Sequence, residues 1–182
     1  MHPSLFYSPG ASLSAAELGA ARLDGLVVEI GEGYMPADVP EDAAARMVSI
    51  RMLIPDGYAA CGPSAAWVLG AGSAPPRRHH AVRTSRRRPR VVPRPDLVLH
   101  DVRRADADLL VIAGMPVTTL PRTLRDLAFL AVRDAECARW VHRVVSQAPG
   151  IVADVRRSIA DQPRLPGKRA ALAMLDATAT TR

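Results

Sequence analysis

Lysine is almost missing from this chain: of its 24 basic residues, Lys168 is the one lysine and the rest are arginine. Aromatic residues are scarce too, at 4%. Leu, Val, Ile and many Ala must therefore fill the core, and helices carrying small side chains should pack closely. Cys61 and Cys137 lie far apart with no C-x-x-C partner. That spacing excludes a disulfide framework or a zinc knuckle and leaves both as small buried residues. No run approaches the roughly 20 apolar residues that cross a bilayer, and residues 1–10 lack a basic start followed by an apolar stretch. The expectation is a cytoplasmic protein with no membrane association.

Recognisable chemistry is also sparse. Ser64 sits in Gly-Pro-Ser-Ala-Ala rather than a G-x-S-x-G elbow, and the phosphate-loop and dinucleotide fingerprints are missing. His79 and His80 are adjacent and would point to opposite faces of a strand, while His100 and His142 have no neighbour in sequence. Asp96 and Asp101 invite comparison with nuclease strands that end in acid-x-Lys, but Lys168 follows Pro166-Gly167, far downstream. Thr119, Arg122, Thr123 and Asp126 bring hydroxyls, a guanidinium and a carboxylate onto adjacent helical turns. The plainer reading is a cap at Thr119 and an i,i+4 ion pair between Arg122 and Asp126. No catalytic residue, metal site or cofactor is expected.

What the chain does have is an uneven charge. The net +6 conceals an acidic start: residues 1–56 hold three Arg against eight acids, whereas residues 57–95 hold eight Arg and no acid. These eight are Arg77, Arg78, Arg83, Arg86, Arg87, Arg88, Arg90 and Arg94. Arginine offers planar bidentate donors to phosphate oxygens and guanine edges. With no carboxylate in the same stretch, these eight are the candidate nucleic-acid-binding residues, and DNA is the expected partner, contacted mostly through phosphate. Coding bias toward arginine explains Arg over Lys but leaves the clustering unexplained.

Periodicity predicts an α+β fold. A capped helix over 14–23 precedes a hairpin over 26–35; a helix over 40–54 and a shorter one from Pro63 follow, with Trp67 as a core anchor. Residues 79–84, 97–102, 109–112 and 114–118 read as strands of a small, mainly antiparallel sheet, and four helices follow from Thr119. The expected division is a small module over 1–38 and an α+β domain over 39–182.

Three stretches in this order resemble the AbiEi family of bacterial antitoxins and transcriptional regulators: residues 31–37 (GEGYMPA), 64–70 (SAAWVLG) and 116–127 (PVTTLPRTLRDL). The late LPGKR at 165–169 extends the resemblance over most of the chain. The resemblance implies a DNA-binding winged helix joined to an α+β domain, repression of the protein's own operon, and opposition to a nucleotidyltransferase toxin. Here the winged helix is abbreviated, since one helix precedes the wing where a helix-turn-helix has two. The expected function is a non-catalytic DNA-binding regulator of antitoxin type. The alternatives are a protein-binding module that has lost its recognition helix and a degenerate nuclease.

Overall fold

The computed structural model describes residues 6–86, 89–102 and 104–180. It has the α+β architecture that the periodicity predicts. Helix α1, Ala15–Leu23, opens on a capping box: the Glu17 N–H donates to Ser14 Oγ, and the Ser14 N–H donates back to the Glu17 carboxylate. Strands β1 (Val27–Ile30) and β2 (Gly33–Pro36) form the expected antiparallel hairpin, with Ile30 opposite Gly33. Its inner side chains, Ile30 and Met35, join the main core; Val28, opposite Met35 on the same face, is partly exposed, and Glu29 is exposed on the other face.

Helix α2 is shorter than the spacing predicts. It covers Ala43–Ser49, capped by the Asp42 carboxylate on the Ala45 N–H, and gives way to a 3-10 turn at Arg51–Leu53. Ile50, Leu53 and Ile54 are buried all the same, so tertiary burial and not helical period accounts for their spacing. Strand β3, Tyr58–Ala60, is not legible in the sequence. Helix α3, Gly62–Val68, follows it directly and is buried along its whole length, with Trp67 only 1% exposed.

Strands β4 (His79–Arg83), β5 (Leu97–His100), β6 (Leu109–Ile112) and β7 (Met115–Thr118) complete a five-stranded sheet in the order β5-β4-β3-β7-β6. The sheet is mixed, where a mainly antiparallel one was expected: β4–β5 and β3–β7 pair in parallel, β3–β4 and β6–β7 antiparallel. Parallel neighbours need a crossover of about a dozen residues or more. Residues 84–96 supply it between β4 and β5.

Side-chain alternation divides the sheet. Ala60, Ala81 and Val117 face the main core, whereas Ala59, Cys61 and Val82 form a smaller cluster with Leu109 on the opposite side. The main core is roofed by α3 and by α4 (Leu120–Leu130), α5 (Ala135–Gln147), α6 (Val152–Ala160) and α7 (Lys168–Thr180). Leu124, Leu127, Trp140, Val144, Ile159 and Leu175 are fully or almost fully buried there. Thr119 occupies the N-cap position of α4 but makes no capping bond through its side chain. The preceding Thr118 is the hydroxyl that reaches into the helix, 2.7 Å from Thr123 Oγ1, with both threonines fully buried. Among the described residues no helix is long and apolar enough to cross a membrane.

Gly31 shows where the hairpin meets α2. Its φ is +51°, and an added Cβ would lie 2.2 Å from Ser49 Oγ and 3.2 Å from the Trp67 ring. Gly31→Ala should therefore lose about 2 kcal/mol or more in urea unfolding, through strain and overpacking together. Gly19→Ala, inside α1 with open space around the new methyl, should instead gain about 0.5–1 kcal/mol.

Candidate nucleic-acid interface

Five of the eight arginines, Arg86, Arg87, Arg88, Arg90 and Arg94, belong to the crossover between β4 and β5, whereas Arg77 and Arg78 precede β4 and Arg83 ends it. The crossover is anchored at both feet. At one foot the His79 N–H donates to the Asp96 carbonyl and Arg78 Nε to the Pro95 carbonyl. At the other, the Thr84 and Ser85 N–H groups converge on the Gly57 carbonyl. Arg83 works as a staple: Nε sits 2.9 Å from Asp101 Oδ1, and Nη1 donates to the carbonyls of Ser85 and Arg86. Arg94 closes a two-bond fork on Asp96, 3.0 and 2.7 Å long, which holds the Asp96 carboxyl below its ordinary range. Although no acid occurs within residues 57–95, carboxylates from just beyond partly offset the cluster: Asp96 lies two residues from Arg94, and the parallel register brings Asp101, just after β5, to Arg83.

What remains points outward. Arg77, Arg86 and Arg90 are exposed, and none of their guanidinium groups is paired with an acid among the described residues. The Arg77 backbone N–H does meet Glu136 Oε1 at 3.1 Å. Arg87 and Arg88 lie outside the described residues. Next to Arg90, Val91 packs against the core while Val92 is exposed, so the segment touches the body of the protein part-way along its length.

The polar residues with chemical potential are placed as follows. Ser64 and His79 form a buried pair, Oγ to Nδ1 at 3.0 Å, with Glu32 Oε1 3.8 Å from His79 Nε2. The order of groups resembles a hydrolase triad, but Ser64 is completely buried, His79 is 3% exposed, and the Ser64 Oγ also accepts the His80 N–H at 2.8 Å. The group ties α3 to β4. Lys168 gives its ammonium to the carbonyls of Ala160 and Gln162, closing the end of α6.

His79 and His80 do point to opposite faces, but His100 has a partner after all: His80 Nδ1 and His100 Nε2 are 3.1 Å apart. His80 lies opposite Val98 and Val82 opposite His100, so the two imidazoles are diagonal neighbours on one face of adjacent parallel strands. No spacing in the sequence reports that register. Burial pushes His79 and His80 down to about 4, His100 adding to the effect at His80, and burial also lowers His100.

Beside this pair the sheet and α4 flank a half-open cavity of about 190 Å³, walled by Val82, His100, Val102, Arg104, Asp126 and Phe129 among others. Asp126 is the hub of its polar side. Arg122 meets it through the expected i,i+4 pair at 2.9 Å, and Arg104 donates to its other oxygen at 3.0 Å. Arg122 also reaches Asp108 at 3.2 Å. The sequence revealed only the Arg122–Asp126 half of this network, because Arg104 and Asp108 arrive from the β5–β6 connection. Both cysteines are free and buried; burial raises the Cys61 thiol well above its ordinary value, and raises Cys137 to about 12. Among the described residues no group of three metal-ligating side chains gathers. Compared with family models and with curated proteins, the chain matches none.

The lowered histidines make stability pH-dependent. Their folded values lie near 4, below the unfolded 6.5. Between those limits the unfolded chain binds more protons, so the contribution is complete above about pH 6.5 and is lost as pH falls toward 4. Urea unfolding should show a loss of a few kcal/mol from pH 7 to pH 4.5. An unchanged midpoint would mean that these imidazoles titrate as if exposed.

Proposed function

We propose that this chain is a non-catalytic DNA-binding regulator of AbiEi antitoxin type that holds nucleic acid mainly by phosphate contacts from the β4–β5 crossover and from Arg77 just before β4. The observation carrying the reading is the set of eight arginines with no acid between residues 57 and 95, three of which, Arg77, Arg86 and Arg90, stand exposed and unpaired among the described residues. An anchored crossover presents such charges at modest entropic loss, because its feet are already fixed by Arg78, Arg83 and Arg94. The β1–β2 hairpin stands where the family resemblance expects a wing. It belongs to an acidic module with a single preceding helix, so the arginines of the crossover and Arg77, and not the wing, are the proposed contact, and binding is largely independent of base sequence. In the same reading the toxin opposed is a nucleotidyltransferase.

One observation favours a second reading, a protein-binding module derived from such a regulator. Leu23, Leu26 and Val28 of the N-terminal module are exposed, Leu23 to 83%, and lie close together in sequence around the α1–β1 turn. Salt dependence of duplex binding separates the two readings.

In a gel-shift titration at several salt concentrations, Arg77, Arg86 and Arg90 changed together to Ala should weaken duplex binding. The slope of log K against log salt should flatten by up to about 0.9 for each lost phosphate contact. Glu32→Ala should leave both unchanged. An unchanged slope in the triple variant would reduce the crossover to a solvated connection and leave the protein-binding reading standing.

A further inference from the structure

The cavity between β4, β5 and α4 combines an apolar body with an under-used cation. Val82, Val102, Phe129 and Leu130 supply its apolar wall, and its volume is about 190 Å³. An apolar protein cavity of about 150 Å³ admits benzene, so a single ring fits this space. Arg104 stands in the wall with its side chain 13% exposed. A guanidinium carries five N–H donors, yet Asp126 is the one side-chain acceptor that Arg104 meets among the described residues. Its Nε is buried with no hydrogen-bond partner. The buried Nε without a partner destabilises the empty site, and a carboxylate that accepts from it relieves that cost, since paired N–H···O bonds match the guanidinium fork.

The surrounding charge points the same way. Arg122 takes Asp126 by two bonds and shares Asp108, while Arg125, a residue away on α4, pairs with Gln162 instead of an acid. Arg125 is held below its ordinary range by burial and then by Arg122, so its charge is felt within the cluster. Arg104 and Arg122 thus offset Asp126 and Asp108, and Arg125, which lines a neighbouring groove with Asp108 and Asp154 and not this cavity, adds positive charge at longer range. Asp126, the carboxylate closest to the cavity, already has both oxygens engaged by Arg104 and Arg122, which weakens its repulsion of a second carboxylate.

We propose that this cavity binds a small monocarboxylate with a single-ring apolar body, its carboxylate on Arg104 and its ring among Val82, Val102 and Phe129. The site is separate from the exposed arginines of the crossover and does not depend on nucleic-acid binding. Because Val82 directly precedes the stapling Arg83, occupancy of the site would be felt at the foot of the crossover.

The test uses the full chain, labelled with nitrogen-15, titrated with benzoate and in parallel with benzamide, which has the same ring but no charge. Benzoate should give saturable amide shifts grouped at Cys61, His100, Arg104 and Phe129 with a Kd of about 1 mM or lower, an ordinary efficiency for a ligand of about nine non-hydrogen atoms. Benzamide should bind at least about tenfold more weakly. Arg104→Lys keeps the charge but loses the fork and should weaken benzoate about tenfold. Val102 is 60% exposed at the cavity wall. Val102→Trp should therefore fold normally and abolish the shifts by occupying the space, which keeps the test decisive if the arginine variant misfolds. The proposal is overturned by the lack of saturable shifts up to about 10 mM benzoate, by equal binding of benzamide, or by benzoate binding that Val102→Trp leaves intact.

Discussion

Three residues hold the sheet together. Tyr58–Ala60 is the central strand, hydrogen-bonded in antiparallel fashion to β4 and in parallel to β7, and each of its residues is buried. Both halves of the sheet hang from it, and α3 begins two residues beyond its end. Ala59 and Ala60 are completely buried on opposite faces. Small side chains there let α3 and Trp67 approach one face and leave Cys61 and Val82 to close the other. A larger residue at either alanine would have to displace packed neighbours, since protein interiors hold few voids to absorb it.

From that centre the arginine-rich segment acquires its geometry. Because β4 and β5 run parallel, the chain must return the length of the strand before it can pair again, and this return carries Arg86 and Arg90 into solvent. The same parallel register sets Asp96 and Asp101 beside the two feet of the crossover. Some arginines are therefore structural: Arg83 and Arg94 fasten the segment to β5, and Arg78 caps a carbonyl at its base. The cluster is neither a uniform electrostatic surface nor a free linker. It is a fastened connection whose outward cations are a subset of the whole.

The charged network on α4 shows how tertiary context changes the meaning of a local pair. An Arg–Asp pair at i,i+4 on an exposed helix is worth about 0.3–0.5 kcal/mol. Here Arg122 and Asp126 retain only 18% and 14% of their side-chain exposure, and Arg104 joins them from the β5–β6 connection. Desolvated charges interact more strongly but cost more to bury, so removing one partner strands the others. The network's weight falls on α4 and the adjoining connection, beside the histidine pair of β4 and β5.

Residue periodicity and capping chemistry settled much of the fold in advance. Ser14 with Glu17, the turn at Gly31, and the apolar spacing of α4 to α6 each act within a few residues, so they are legible in the chain itself. Trp67 and the two buried cysteines follow from residue type alone. Other features come from partners distant in sequence. Strand β3 has two alanines and a weak intrinsic preference for extension, and only its neighbours on both sides make it a strand. The shortened α2, the Thr118–Thr123 pair in place of a Thr119 cap, the meeting of His80 with His100 and the arrival of Arg104 at Asp126 all depend on strand register and helix docking. The amino-acid sequence determined where charge and apolar surface lie along the chain. The tertiary structure decided which charges are neutralised and which remain free, because pairing depends on proximity in space, and the parallel crossover sets that proximity.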